Sequence, residues 1–153
     1  MTERLNIKEL VYNHLITLLD RKIEVSVKAI KSSKESRDAD IKSSVGDKYE
    51  TGRAMMHIEQ EKNEVQMAHA LKQKNELSQI DIHNKYLKVG YGCLVITNQG
   101  NYFISIGIGK LDMDEENIFA ISLASPIGKQ LENKKKGDTF QFQGREFIIK
   151  DII

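Results

Sequence analysis

The chain is predicted to be α+β: an N-terminal antiparallel coiled-coil hairpin followed by a compact, mainly antiparallel β domain with one short helix. Three observations predict it. Of ten glycines, only Gly46 and Gly52 precede residue 90, and the one proline is Pro126. Gly and Pro interrupt long helices and punctuate turns, so long helices fit the first half and frequent turns the second. Apolar residues in the first half recur every three or four positions, whereas the second half carries short β-branched and aromatic runs between glycines. The expected border lies in the polar stretch Asp81 to Lys88, giving a hairpin over residues 1–83 and a globular domain over 84–153.

The first helix is expected from Leu5 to about Arg37, with Leu15, Leu18, Leu19, Ile23, Val27 and Ile30 on one face. A second runs from about Thr51 to Gln79, and its weaker stripe is Met55, Ile58, Val65, Ala68 and Leu71. At 1.5 Å rise per residue each is on the order of 40–50 Å long, too long to bury in a domain of this size. Two such helices joined by a short connector form an antiparallel coiled coil extending into solvent. The connector is expected at about Asp38 to Glu50, with the tip near residues 46–50.

In the second half, Cys93–Thr97 and Tyr102–Ile106 flank Asn98-Gln99-Gly100-Asn101 as a β-hairpin. Ile118–Ile121 is a further strand. Thr139–Phe142 and Glu146–Ile152 pair across Gln143-Gly144. Between them, Ser125 is placed as the N-cap and Pro126 in the first turn of a short helix.

Composition narrows the function classes. The 153 residues carry 23 Lys+Arg and 22 Asp+Glu, a net charge of +1. The balance holds within each half, which disfavours autonomous nucleic-acid binding. A single cysteine makes no internal disulfide and no Cys-rich zinc site, so a reducing compartment is expected. No apolar run approaches the roughly 18–20 residues of a membrane span. The charged N-terminus lacks a secretory apolar region. A cytoplasmic location and no membrane partner are expected.

Most chemistry-bearing residues have ordinary readings. Cys93 sits at a strand start and His14, His57, His69 and His83 in or beside the helical half, so a buried core thiol is expected. The histidines show no metal-ligand spacing. Gly107-Ile108-Gly109 lacks the third glycine and following helix of a dinucleotide site. Lys134-Lys135-Lys136 reads as a solvated loop or an anionic contact. Asp47 and Glu50 differ. Three residues apart at the start of a helix, both can point to one side. Acids in a first helical turn complement the helix dipole whatever else they do. At the tip of a hairpin they have no core to serve, and they could complete the shell of a Mg²⁺ held mainly elsewhere.

Gly46-Asp47-Lys48-Tyr49-Glu50, followed by Glu59-Gln60, resembles the coiled-coil tip of the GreA/GreB transcript cleavage factors. Val89-Gly90-Tyr91-Gly92-Cys93-Leu94-Val95, Ile121-Ser122-Leu123-Ala124-Ser125-Pro126-Ile127-Gly128-Lys129, Lys136-Gly137-Asp138 and Phe147–Ile152 are similar to that family's C-terminal domain, which resembles an FKBP fold. The likeness implies a bacterial RNA polymerase partner, with the globular domain at the rim of the secondary channel and the coiled coil reaching toward the active centre. It implies that Asp47, supported by Glu50, shares the polymerase's second Mg²⁺ and orients a water, so that the polymerase cleaves the 3′ end of backtracked RNA. The protein would be a cofactor of that nuclease and not itself an enzyme. It would meet RNA only within the polymerase complex and DNA only through it. Ser125 and Pro126 would contact the rim. The acidic motif of the family is differently arranged here, as Lys110-Leu111-Asp112-Met113-Asp114-Glu115-Glu116, and Cys93 stands where Ser is common. Two alternatives stay open: a channel-binding regulator without cleavage stimulation, and an FKBP-like protein-interaction module.

Overall fold

The computed structural model describes the backbone of residues 2–43, 47–113 and 117–153, and the side chains of 3–35, 51–113 and 117–153. The fold class is the expected α+β: a long helical hairpin, α1 (Thr2–Ser43) and α2 (Asp47–Ser78), then six strands and a short helix. The helices extend further than expected. Residues 38–43 continue α1 and residues 47–50 open α2, so most of the stretch anticipated as connector is helical. Asp, Ser and Lys at these positions lower helix propensity only by tenths of a kcal/mol each, too little to stop a helix without Gly or Pro. Residues 44–46 lie outside the described ones.

Contacts divide the chain into two compact units. One contains Met1–His14 with Glu76–Ile153, the other Leu15–Asn75. Composition places a border near residue 83, but packing groups the first turns of α1 with the strands.

In the helical unit, Leu15 and Leu19 are buried, with Ile23, Ala29 and Ile30 partly buried beside Ser26 and Ser33. This matches most of the expected stripe of α1, though Val27 is exposed and Ser26 takes the protected position. The stripe expected for α2 is not the packed one. Met55, Ile58 and Val65 are 66–68% exposed, and Ala68 and Leu71 are exposed as well. The protected row is Gly52, Met56, Gln60, Asn63, Met67, Ala70 and Gln73. Its steps of three and four are those of a coiled-coil seam. Two rows with that spacing coexist on α2, and only one can face α1. Leu15 and Leu19 of α1 and Ala70 of α2 are all buried, and the Lys74–Asp20 ion pair at 2.7 Å joins the helices at that level. With the phase fixed there, a straight helix carries Met67, Asn63 and Gln60 inward and leaves Val65 and Ile58 outside.

The strands are β1 (Leu94–Thr97), β2 (Gly100–Ile104), β3 (Gly109–Lys110), β4 (Ile118–Ile121), β5 (Thr139–Phe142) and β6 (Arg145–Ile152). They form one sheet in the order β3-β4-β2-β1-β6-β5. Every pairing is antiparallel except β2 with β4. The parallel pair follows from chain path: β2 reaches β4 through a crossover that includes the two-residue β3, the strand absent from the sequence reading. Leu94 and Val95 point to opposite faces and both are fully buried, so the central strands are covered on both sides. One face gathers Val95, Tyr102, Ile104, Phe147 and Ile149 under Leu131 of α3 (Pro126–Leu131).

The first turns of α1 are tied to the end of β6. Arg4 pairs with Asp151, and the Lys8 ammonium donates to the Ile153 carbonyl at 3.0 Å while lying 4.8 Å from the Tyr86 ring centroid. Burial holds Lys8 below its ordinary pKa, partly offset by Cys93 and Asp81.

Candidate functional site

Asp47 is the first residue of α2 and Glu50 lies in the same turn. Helical geometry gives an i,i+3 pair adjacent Cβ positions on one side. The side chains of both residues lie outside the described ones. Further down α2, Gln60 stands in the protected row and donates through Nε2 to Glu64 at 3.1 Å. Glu59 is exposed.

The second candidate surface is the turn that opens α3, and its geometry is fully described. Ser125 is extended, with φ −67° and ψ 157°, and its hydroxyl does two things. It donates to the Ser122 carbonyl at 2.7 Å and accepts from the Gly128 N–H at 3.0 Å. Pro126 follows at the first helical position, where its missing N–H costs nothing. A Cβ on Gly128 would collide with the Ser122 carbonyl, so glycine is required for the close approach. Ser122, Ser125 and Gly128 thus build the turn, while Ala124, Pro126 and Lys129 are its exposed face. Sequence reasoning brought Ser125 and Pro126 forward together. The structure separates them: the Ser125 hydroxyl is used internally, and Pro126 is available at the surface.

The cysteine takes its ordinary reading. Cys93 is fully buried, and burial pushes its thiol from 9.0 up to about 11, with a backbone hydrogen bond from Gly90 and nearby Lys8 opposing the shift. A thiol in that state is a poor nucleophile. Among the described residues no three His, Cys, Asp or Glu side chains gather as a metal site. Gly109 has φ +95° at the start of β3, in the left-handed region that favours glycine. In the lysine run, the Lys135 N–H donates to Asp138 at 2.7 Å and the Lys136 ammonium lies 4.0 Å from Asp151. Among the described residues, no helix is long and apolar enough to cross a membrane.

Two groupings escaped sequence reasoning. Lys8, Tyr86 and Cys93 come together only through long-range packing, and no local pattern marks them. The aromatic residues of β2, β4, β5 and β6 align across the sheet. Alternation in Phe140-Gln141-Phe142 hinted at a common face, but strand order was needed to add Tyr102 and Phe119.

Among solved structures, the chain is similar to that of the transcription factor Gfh1, with 21% identity, 92% of each chain covered and a TM-score of 0.34. No family model matches the chain, and no curated protein matches it.

Proposed function

We propose that this protein is a Gre-type factor that binds bacterial RNA polymerase through the secondary channel and stimulates the polymerase's own cleavage of backtracked RNA. The carrying observation is a juxtaposition within one chain. A Gly46-Asp47-x-x-Glu50 signature opens a helix of 32 residues, and the Ile121–Gly128 segment that resembles the Gre C-terminal domain folds into a self-capped turn presenting Pro126. At 1.5 Å per residue α2 is about 48 Å long, a reach that suits delivery of acidic groups into a deep channel.

Two carboxylates on one turn fit a hard cation that keeps several waters and takes its remaining ligands from a partner. They do not by themselves form a self-sufficient site. Asp47 would hold the shared Mg²⁺ and Glu50 would support it. In paired-metal hydrolysis such an ion supplies charge stabilisation for the attacking and leaving oxygens. The part played by this chain would be to place Asp47 and orient a water through hydrogen bonds to its carboxylate. Pro126 and its neighbours would dock on the channel rim, with the Ser125 hydroxyl holding that loop in shape. Location would be cytoplasmic, with RNA and DNA met only through the polymerase.

The different acidic stretch Lys110–Glu116 favours a second reading, in which the protein occupies the channel and regulates transcription without stimulating cleavage. One experiment separates the two. Stalled, backtracked complexes are incubated with Mg²⁺ and either the wild type or Asp47→Asn. Stimulated cleavage that falls at least tenfold in the variant, with binding retained, supports the first reading. Equal rates for the two proteins overturn the catalytic role of Asp47. Inhibition that persists in Asp47→Ala, without any cleavage, supports the second reading. Failure of the wild type to bind polymerase overturns both.

A further inference from the structure

Two tyrosine hydroxyls meet the last turn of α2. Tyr91 donates to the Glu76 carbonyl at 2.5 Å, and Tyr12 of α1 donates to the Leu77 carbonyl at 3.2 Å. The end of a helix leaves carbonyls without intrahelical partners and with partial negative charge. Here the N–H groups of Gln79 and Ile80 already turn back onto the same two oxygens, at 3.2 and 3.0 Å. A carbonyl has two lone pairs, so the hydroxyls are additions to a helix end that is already closed. They come from other elements, α1 and the loop before β1, and so tie that end to its surroundings.

The tyrosines are themselves held. The Tyr91 carbonyl accepts from the Tyr86 hydroxyl at 2.9 Å. Gly92, at φ +94°, leaves room for that hydroxyl: a Cβ there would lie 2.5 Å from its oxygen. The Lys8 ammonium lies 4.8 Å from the Tyr86 ring centroid and donates to the Ile153 carbonyl just past β6. Lys8 is fully buried, and Tyr12 follows it by four residues, so both project from one side of α1. All of these residues belong to the unit made of Met1–His14 and Glu76–Ile153.

Tyr91 is 37% exposed, so its hydrogen bond adds little to stability in water. What it restrains is direction. α2 has 32 residues and is about 48 Å long, so a tilt of about 3° at its last turn displaces its first residue by about 2.5 Å. A misplacement of about 1 Å can cost a reaction about a hundredfold.

We propose that Tyr12 and Tyr91 are positioning residues: their hydroxyls, backed by Lys8 and Tyr86, clamp the axis of the last turn of α2 and thereby place Asp47 at the other end of that helix. The positioning role rests on the polymerase-cleavage reading. The clamp is a property of the free protein and is measured apart from it.

The variant is Tyr12→Phe/Tyr91→Phe, which keeps both rings and removes only the donors. Circular dichroism and the urea midpoint check that it is folded. In the free full chain, spin labels on Val65→Cys and Gln141→Cys, both exposed positions, are placed in a Cys93→Ala background. The distance distribution between them is expected to be about twofold wider in the tyrosine variant. Equal widths overturn the clamp. In the stalled-complex assay, half-maximal stimulation is expected within about twofold of the wild-type concentration, while the maximal rate falls about three- to tenfold. Raising Mg²⁺ should not restore that rate, because the acids are misplaced and not weakened as ligands. A merely structural defect would instead raise the half-maximal concentration. Equal maximal rates, or a loss that Mg²⁺ restores, overturn the positioning role. If the wild type stimulates no cleavage, the polymerase reading fails and the positioning role falls with it, while the label distances still decide the clamp.

Discussion

The Ser125 hydroxyl and the Gly128 N–H are joined by a 3.0 Å hydrogen bond that caps the helix beginning at Pro126. The bond spans three residues and also fixes the Ser122 carbonyl, to which the same hydroxyl donates. The Ser125 hydroxyl thereby holds the turn in one shape, while Pro126 and Lys129 stay exposed on its surface.

Ser125→Ala removes the cap and is expected to cost about 1 kcal/mol in urea denaturation. Gly128→Ala forces a side chain against the Ser122 backbone and should cost more, about 1–3 kcal/mol. Pro126→Ala touches an exposed residue and should change stability by less than about 1 kcal/mol while weakening retention on immobilised polymerase. A Pro126→Ala variant with unimpaired retention would remove Pro126 from the proposed contact.

The unexpected phase of the coiled coil predicts an inverted pattern of mutational effects. Leu19→Ala empties a fully buried position and should cost about 2–5 kcal/mol. Val65→Lys lies on the exposed side and should stay within about 0.5 kcal/mol of wild type. Asn63→Leu places an apolar side chain in the protected row and should stabilise the helices by up to about 1 kcal/mol. Chemical denaturation followed by circular dichroism measures all three. A Val65→Lys loss as large as that of Leu19→Ala would show that the other stripe is the packed one.

Cys93 gives a test of burial chemistry. With its thiol pushed up to about 11, it holds about 100-fold less thiolate at pH 8 than a thiol of pKa 9.0. A disulfide reagent should label it slowly in the native protein and rapidly in urea. The folded state keeps the proton longer than the unfolded chain, so Cys93 contributes stability that is full below pH 9 and declines as pH rises toward 11. Lys8 acts in the opposite direction. Its lowered folded pKa makes its contribution less unfavourable as pH rises toward 10.5. Comparison with Cys93→Ala isolates the thiol: the variant's deficit at pH 8 should shrink by about 1 kcal/mol at pH 10. A deficit that stays constant over that range would contradict the raised pKa.

At the start of α2, the two acids should not be equivalent. Asp47→Asn is expected to abolish most stimulated cleavage at any Mg²⁺ concentration. If Glu50 only supports an ion held mainly by Asp47, as proposed, Glu50→Gln should be partly restored by raising Mg²⁺ in the same stalled-complex assay. Identical Mg²⁺ profiles for the two variants would assign them one common role.

The sequence by itself determined the elements of the β domain apart from the two-residue β3. β4 over Ile118–Ile121, β5 over Thr139–Phe142 and the Ser125-capped α3 fall where alternation, turn glycines and capping chemistry placed them, because these signals act within a few residues. It also determined that two long helices precede them, since a stretch poor in Gly and Pro has little to interrupt it. Only the tertiary structure decided which stripe of α2 is packed. Met55, Ile58 and Val65 are spaced as well as the residues that turn inward, and the choice between them is made by contacts with α1 some 50 residues away in sequence. Strand order, the parallel pairing of β2 with β4, and the assembly of Tyr102, Phe119 and Phe142 on one face were likewise settled by pairing between distant segments. Local propensity fixes where a strand forms, whereas its neighbour is chosen by how much apolar surface the whole sheet can cover.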